Sequence, residues 1–250
     1  MVKLVIFDLD GTAIPNKSDG MPSERLIKVV KKLQSTMKVC AATGRPHFNS
    51  KPIIQKLGLR DPCIISGGTQ IIDPLTQEIL WEKTMSASQV KLVSTIAMAY
   101  SYKIFFSGES KSVSVKDKTK FVPETILCIS SVTAKDTQEI LQKCSKVDGV
   151  IAHQVMSWVK NCFDIHITHK DATKKHALQI LLKMLNITPS EVVAAGDSNN
   201  DLPLFESAGY KIAMANGSDD LKKKADLIAG HVDEDGLAIA LEKKLLSSPK

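Results

Sequence analysis

A doubly wound parallel α/β (Rossmann-like) sheet, with a smaller α+β unit inserted into it, is the fold that this sequence of 250 residues predicts. Short apolar runs that break off abruptly into polar clusters recur before Asp8, Thr43 and Gly196, as expected of strands buried on both faces of a parallel sheet. Amphipathic helical stretches separate them. Between residues 84 and 168 the pattern changes to short alternating strands with helices between them, the signature of an antiparallel sheet covered on one face. Residues 1–83 and 169–250 are therefore predicted to form one core, and 84–168 a separate insertion.

The first strand, Val2 to Phe7, is almost wholly apolar and ends in Asp8, Asp10 and Gly11. Ligands of open α/β sheets bind at that carboxyl edge. With a side-chain period of two, Asp8 and Asp10 point to the same side if strand geometry lasts that far. Like charges so close repel unless a cation or proton intervenes. The chemistry suggested is a divalent metal with oxygen ligands, such as Mg2+, with one carboxylate free to attack an electrophile. The competing reading is a plain turn, since Asp-Gly after a strand is also a hairpin signal.

A Gly-, Pro-, Asn- and Ser-rich loop then runs to Met21, and Ser23 caps a helix with Leu26, Ile27, Val30 and Leu33 on one face. The second strand, Lys38 to Ala42, ends in Thr43-Gly44-Arg45. A short hydroxyl, a glycine whose N–H can be approached closely, and a cation suit a phosphate oxygen. The same residues read equally as a helix start, with Thr43 as cap and Pro46 in the first turn. A helix to about Leu57, a third strand near Cys63 to Ser66 and a hairpin around Asp73-Pro74 complete this part.

Within the insertion, a helix over 88–100 precedes strands at 103–107, 112–116 and 126–130. A second helix over 134–146 and strands at 150–156 and 162–168 follow, with Lys116 to Lys120 read as a solvated turn. The core pattern resumes with a helix carrying Ala177, Leu178, Leu181, Leu182 and Leu185, capped by Thr173 or Asp171. Lys174 falls in its first turn, against the helix dipole. That position invites a functional explanation, although a solvent-facing lysine, like Lys175 beside it, is the bland one. The strand Val192 to Ala195 ends in Gly196-Asp197-Ser198-Asn199-Asn200-Asp201, a third carboxylate cluster at a strand end.

The chain has no run of 18 apolar residues and no signal-peptide pattern, so a cytoplasmic protein is predicted. Its five cysteines form no C-x-x-C pair and read as reduced core residues. The net charge of +6 is dispersed and not interleaved with aromatics, which favours a small anionic ligand over nucleic acid or a membrane surface.

With these motifs in order, the sequence resembles the haloacid dehalogenase superfamily of phosphohydrolases, in its Cof-type branch with a large (C2) cap. The resemblance rests on D-x-D-G-T at Asp8 to Thr12, T-G-R at Thr43 to Arg45, K-x-x-A-L at Lys174 to Leu178 and G-D-S-x-N-D at Gly196 to Asp201. It extends through A-M-A-N at Ala213 to Asn216 and E-D-G at Glu234 to Gly236. It implies that 84–168 is the cap, that Asp8 is a nucleophile forming an aspartyl-phosphate, and that Asp10 protonates the leaving group and then activates water. It further implies Mg2+ held by Asp8, Asp197 and the backbone carbonyl of Asp10, with Asn200 or Asp201 positioning that shell. Thr43 and Lys174 would bind the phosphoryl group, beside Gly44 and Arg45. Ala13, Ser66, Lys175 and His166 depart from the branch's usual residues. His166 shares one face of the last cap strand with Asp164 and Thr168, and is a candidate for substrate contact or for packing at the domain junction.

The leading expectation is a Mg2+-dependent phosphatase acting on a small phosphorylated metabolite, with sugar phosphates first among substrates. The alternatives are a phosphotransferase of the phosphomannomutase kind and a non-catalytic protein that binds phosphorylated ligands. The sequence says nothing of oligomeric state.

Overall fold

The computed structural model describes residues 1–107, 112–115, 121–157 and 159–246. In chain order, β1 (Leu4–Phe7), α1 (Glu24–Leu33), β2 (Lys38–Ala41), α2 (His47–Leu57) and β3 (Cys63–Ile65) precede a hairpin of β4 (Gln70–Ile72) and β5 (Ile79–Glu82). Next come α3 (Ala87–Met98), β6 (Lys103–Ser107), β7 (Ser112–Ser114), β8 (Ile126–Thr133), α4 (Ala134–Cys144), β9 (Val150–Met156) and β10 (Cys162–His169). Last are α5 (Lys174–Leu185), β11 (Val192–Gly196), α6 (Leu202–Phe205), β12 (Tyr210–Ala213), α7 (Asp219–Lys222), β13 (Leu227–Ile228) and α8 (Gly236–Leu241). Two compact units result: Met1–Arg45 with Asn49–Leu80 and Thr173–Lys250, and Trp81–Ala172 with Pro46–Phe48.

The first unit is a parallel sheet in the order β13-β12-β11-β1-β2. Every residue of β1 is buried, which is why the strand carries no polar alternation. Phe7 lies level with Ala195 of β11 and Ala41 of β2. That register brings the three polar clusters to one edge, since Asp8, Asp197 and Thr43 follow within two residues of this row. From β1 the chain crosses to β2 on one side, and from β11 to β12 on the other. The β1/β11 pair is thus the switch point at which open α/β sheets bind ligands.

Local signals explain the flanking helices. Ser23 Oγ accepts the Leu26 N–H at 3.1 Å and starts α1. The buried stripe of α1 is Leu26, Val29, Val30 and Leu33; Ile27, expected on that face, sits at its margin, partly buried against the same core. Thr173 Oγ1 caps α5 through the His176 N–H at 3.2 Å, and Ala177, Leu178, Leu181 and Leu182 turn inward.

Two expectations need correcting. β3 is not a full member of the parallel sheet: it touches it through one bridge, Ala42 with Ile64, and pairs antiparallel with β4. The cause lies in Ser66-Gly67-Gly68, whose φ angles of 52°, 70° and 102° turn the chain straight back. Ser66 pays a steric cost there that glycine does not. Furthermore, Thr43 does not cap α2. Its hydroxyl accepts the Arg45 N–H at 3.0 Å within a turn that precedes the helix.

The second unit is an antiparallel sheet in the order β7-β6-β8-β10-β9. One face is dry: Phe106, Leu127, Ile129, Ile165 and Ile167 pack with Val90, Val93 and Ala97 of α3 and Ile140 and Cys144 of α4. On the other face, Phe105, Cys128, His166 and His153 stand side by side across four strands. The predicted turn at Lys116 to Lys120 falls outside the described residues. All five cysteines are free thiols. Among the described residues, no helix is long and apolar enough to cross a membrane.

Candidate active site

The carboxyl edge of β1 and β11 holds the densest group of buried charges in the core. Asp8, first residue beyond β1, is 4% exposed, and Lys174, first residue of α5, is 3% exposed. Lys174 Nζ donates to Asp8 Oδ1 at 2.7 Å and to Asp201 Oδ1 at 2.6 Å. The helix places a lysine against its own dipole because two carboxylates wait for it. Burial disfavours the ammonium, yet Asp201 and Asp8 together outweigh that and raise its pKa. Both oxygens of Asp201 are engaged, since its Oδ2 accepts the N–H groups of Asp197 and Ser198 at 3.1 and 3.2 Å.

Asp197 completes the cluster. Its Oδ1 accepts from the Thr12 hydroxyl at 3.1 Å, and its main chain is held by the Ser218 N–H at 2.7 Å. Asp8, Asp197 and Asp201 each offer an oxygen within 4.8 Å of the others. Two glycines allow this crowding: a Cβ on Gly11, where φ is +75°, would fall 2.4 Å from Asp197 Oδ2, and one on Gly196 would fall 2.5 Å from Asp201 Cβ.

Three carboxylates and one ammonium leave the site short of positive charge. Burial, then Asp201, pushes Asp197 up to about 7. Burial also raises Asp8 well above the ordinary carboxylate range, although Lys174 opposes it, and Asp201 and Asp197 add to the rise. A hard divalent cation answers that deficit, and the donor set is all oxygen. Among the described residues, none donates a hydrogen bond to Asp8 Oδ2 or Asp197 Oδ2, which are left open to it, while both oxygens of Asp201 accept from the protein.

The structure gathers some of the predicted site residues and separates others. Asp8, Asp197 and Lys174 come together. Asp10, expected near the metal, pairs its carboxylate with Arg45 and still lies near enough to add to the charge that raises Asp197. Arg45, expected to face a phosphate, holds Asp10 instead. Thr43 is wholly buried at the same strand edge, and Gly44 beside it is half-buried. Asn200 is exposed and accepts from Ser198 Oγ at 2.7 Å, outside the carboxylate cluster. His166 lies in the second unit, half-buried; burial lowers its pKa to about 4, so the ring is neutral at pH 7.

Asn216 was missed as a site residue. Its Nδ2 donates to the Gly11 carbonyl at 2.8 Å, and its Oδ1 accepts the Val232 N–H at 3.0 Å. The signal was present in Ala213 to Asn216, an apolar run that ends in a polar residue at the edge where the other clusters lie.

Buried carboxylates and a lysine thus meet at the switch point of a parallel sheet, and three of the carboxylates could hold a metal ion. A profile of haloacid dehalogenase-like hydrolases matches residues 5–241, and the chain belongs to that family, in its Cof-type branch. The chain is 27% identical to phosphoglycolate phosphatase 1 of Saccharolobus solfataricus, over 98% of this chain and 96% of that protein. It is 25% identical to a 5-amino-6-(5-phospho-D-ribitylamino)uracil phosphatase of Bacillus subtilis, over 96% of both. The fold is shared with a haloacid dehalogenase-like hydrolase from Bacteroides thetaiotaomicron, with a TM-score of 0.84 at 22% identity, over 97% of this chain and 99% of that one. The protein is thus a haloacid dehalogenase-like hydrolase of the phosphatase kind that these relatives represent.

Proposed function

We propose that this protein is a Mg2+-dependent phosphatase that hydrolyses a small phosphate monoester through a phosphorylated Asp8, with sugar and polyol phosphates as the leading substrate class. The observation that carries the reading is the buried Asp8, tied at Oδ1 to Lys174 and lying within carboxylate reach of Asp197. The relatives act on a phosphorylated two-carbon acid and a phosphorylated ribityl compound, judged by their names. Both are small organic phosphates, and the free thiols suit a cytoplasmic setting.

Asp8, Asp197 and the backbone carbonyl of Asp10 would hold the Mg2+, which supplies charge neutralisation between the carboxylates and the phosphoryl oxygens when bound. Asp8 attacks phosphorus: an Asp8 oxygen–phosphorus bond forms as the ester P–O bond breaks. Asp10 gives its proton to the departing oxygen. It then takes a proton from the water that attacks the aspartyl-phosphate, and inorganic phosphate leaves. Lys174 fixes the orientation of Asp8 and, with Thr43, meets the equatorial oxygens. Phosphoryl transfer needs mainly this positioning and neutralisation.

Phosphate release should be measured over sugar phosphates, nucleotides and phosphoglycolate, with and without Mg2+. Release that needs Mg2+ and favours the sugar or polyol esters is the expected result; none with any ester would sink the proposal. Asp197→Ala should lower kcat/KM about 10²- to 10³-fold at limiting Mg2+, with part of the loss recovered at high Mg2+. A variant rate that ignores Mg2+ would show that Asp197 is no ligand. If His166 helps choose the ester, it does so as a neutral hydrogen-bonding group. His166→Ala should then reorder kcat/KM among esters while leaving a small aryl phosphate nearly unchanged, whereas a uniform loss would assign it to packing.

A further inference from the structure

Resting on the phosphatase reading above, we propose that Arg45 is a positioning residue that sets Asp10 for proton transfer, rather than a ligand of the phosphoryl group. The guanidinium approaches Asp10 side-on: Nε donates to Oδ2 at 2.8 Å and Nη2 to Oδ1 at 2.6 Å. Two parallel bonds fix the plane of a carboxylate as well as its place. The remaining donors face the loop that follows Asp10, Nη2 meeting the Lys17 carbonyl at 3.0 Å and Nη1 the Ser18 carbonyl at 3.4 Å. These four bonds leave one of the five guanidinium N–H groups over.

Arg45 is itself held firmly enough to act this way. Its N–H donates to Thr43 Oγ1 at 3.0 Å, and its carbonyl accepts the Ser66 N–H at 2.9 Å. Ser66 sits in the left-handed turn described above, so that turn presents its N–H to Arg45 at a steric cost. The side chain is 13% exposed and that of Asp10 25%. Asp10 also stands in a one-residue bridge with Ile14. Arg45 therefore joins the end of β2 to Asp10 and to the tip of its loop. A phosphate could take more than one N–H of this guanidinium only by breaking one of these bonds, and Lys174 and Thr43 already offer a cation and a hydroxyl at the same sheet edge.

The step served is the first one, in which Asp10 gives its proton to the ester oxygen as the P–O bond breaks and Asp8 bonds to phosphorus. An activated aryl ester barely needs that proton, whereas an alkyl ester does. Because kcat/KM reports only events up to phosphoryl transfer, it isolates this step from the later attack of water. The probes are 2,4-dinitrophenyl phosphate and the best alkyl phosphate of the screen, with inorganic phosphate as competitive inhibitor. Arg45→Gln should lower kcat/KM for the alkyl ester about 100-fold and that for the dinitrophenyl ester less than about threefold. The Ki of phosphate should change less than about twofold, because the phosphoryl site is intact. Arg45→Lys, which keeps the charge and loses the fork, should behave like Arg45→Gln.

Folding losses cancel in the ratio of the two esters measured on one preparation. In an Asp10→Asn background, Arg45→Gln should cost less than about twofold more, since residues that act as a unit are not additive. Equal losses on both esters with a weakened phosphate Ki, or multiplicative losses in the double variant, would overturn the proposal and make Arg45 a phosphate ligand. A parent enzyme that cleaves neither ester, or an Asp8→Asn variant that still does, would instead sink the phosphatase reading, and with it this one, before any Arg45 variant is made.

Discussion

Asp8→Asn is expected to remove turnover, lowering kcat by at least about 10⁴-fold, because an amide cannot attack phosphorus and the residues of such a site act as a unit. The substitution keeps shape, and the amide oxygen still accepts from Lys174, so the fold should survive. Stability follows from the raised pKa of Asp8, whose first cause is burial. A carboxyl group that binds its proton more tightly folded than unfolded loses folding free energy as pH rises from the unfolded value towards the folded one. Asparagine escapes that loss. Without Mg2+, the variant should therefore gain on the parent in melting temperature as pH rises from 4 through neutrality. Rapid quenching with labelled substrate should trap an acyl-phosphate on the parent and none on the variant. Turnover near the parent rate, or label retained by Asp8→Asn, would sink the covalent mechanism.

What the sequence revealed of this site depended on how local each signal was. Asp8, Asp197 and Lys174 were legible because each stands at the end or start of an element with a strong pattern of its own. The parallel register of β1 with β11 and β2 then did the rest. Partnerships were not legible. The Arg45–Asp10 fork spans 35 positions, and nothing at either end says which of several anions a T-G-R arginine will meet. Asp201 could be named only as a neighbour of the metal shell, since its hold on Lys174 spans 27 positions. Two strands failed for a different reason: β13 has only two residues, and β12 opens on the half-buried Tyr210 and Lys211, so its buried apolar run is Ile212-Ala213 alone. β3 was read as a sheet member because its apolar run looks like the others; the turn at Ser66 to Gly68, which sends it antiparallel, is a conformational fact that Gly67 and Gly68 only hint at.

Lys174→Met should cost about 3–5 kcal/mol of stability without Mg2+, the range for removing one partner of a buried ion cluster. Methionine fills the space, but Asp8 and Asp201 are left facing each other beside Asp197 with no buried cation. Asp8 and Asp197, whose proton affinity burial already raises, then bind protons more readily still. The deficit should accordingly be largest near pH 8 and shrink towards pH 5, as protonation relieves the repulsion. Mg2+ offers the same relief in another form. It should raise the melting temperature of the variant more than that of the parent, since it meets a more negative cluster in the variant and stabilises whichever folded state binds it better. Activity should not follow stability back. Without the ammonium at Asp8 Oδ1, the nucleophile loses its orientation and the phosphoryl oxygens lose a donor, and kcat/KM should stay about 10²- to 10³-fold low in saturating Mg2+. Denaturant titrations in chelator and in Mg2+, at pH 5 and pH 8, separate these terms. A deficit indifferent to both pH and Mg2+ would mean that Lys174 supports the fold by packing alone and is not the counter-ion of this cluster.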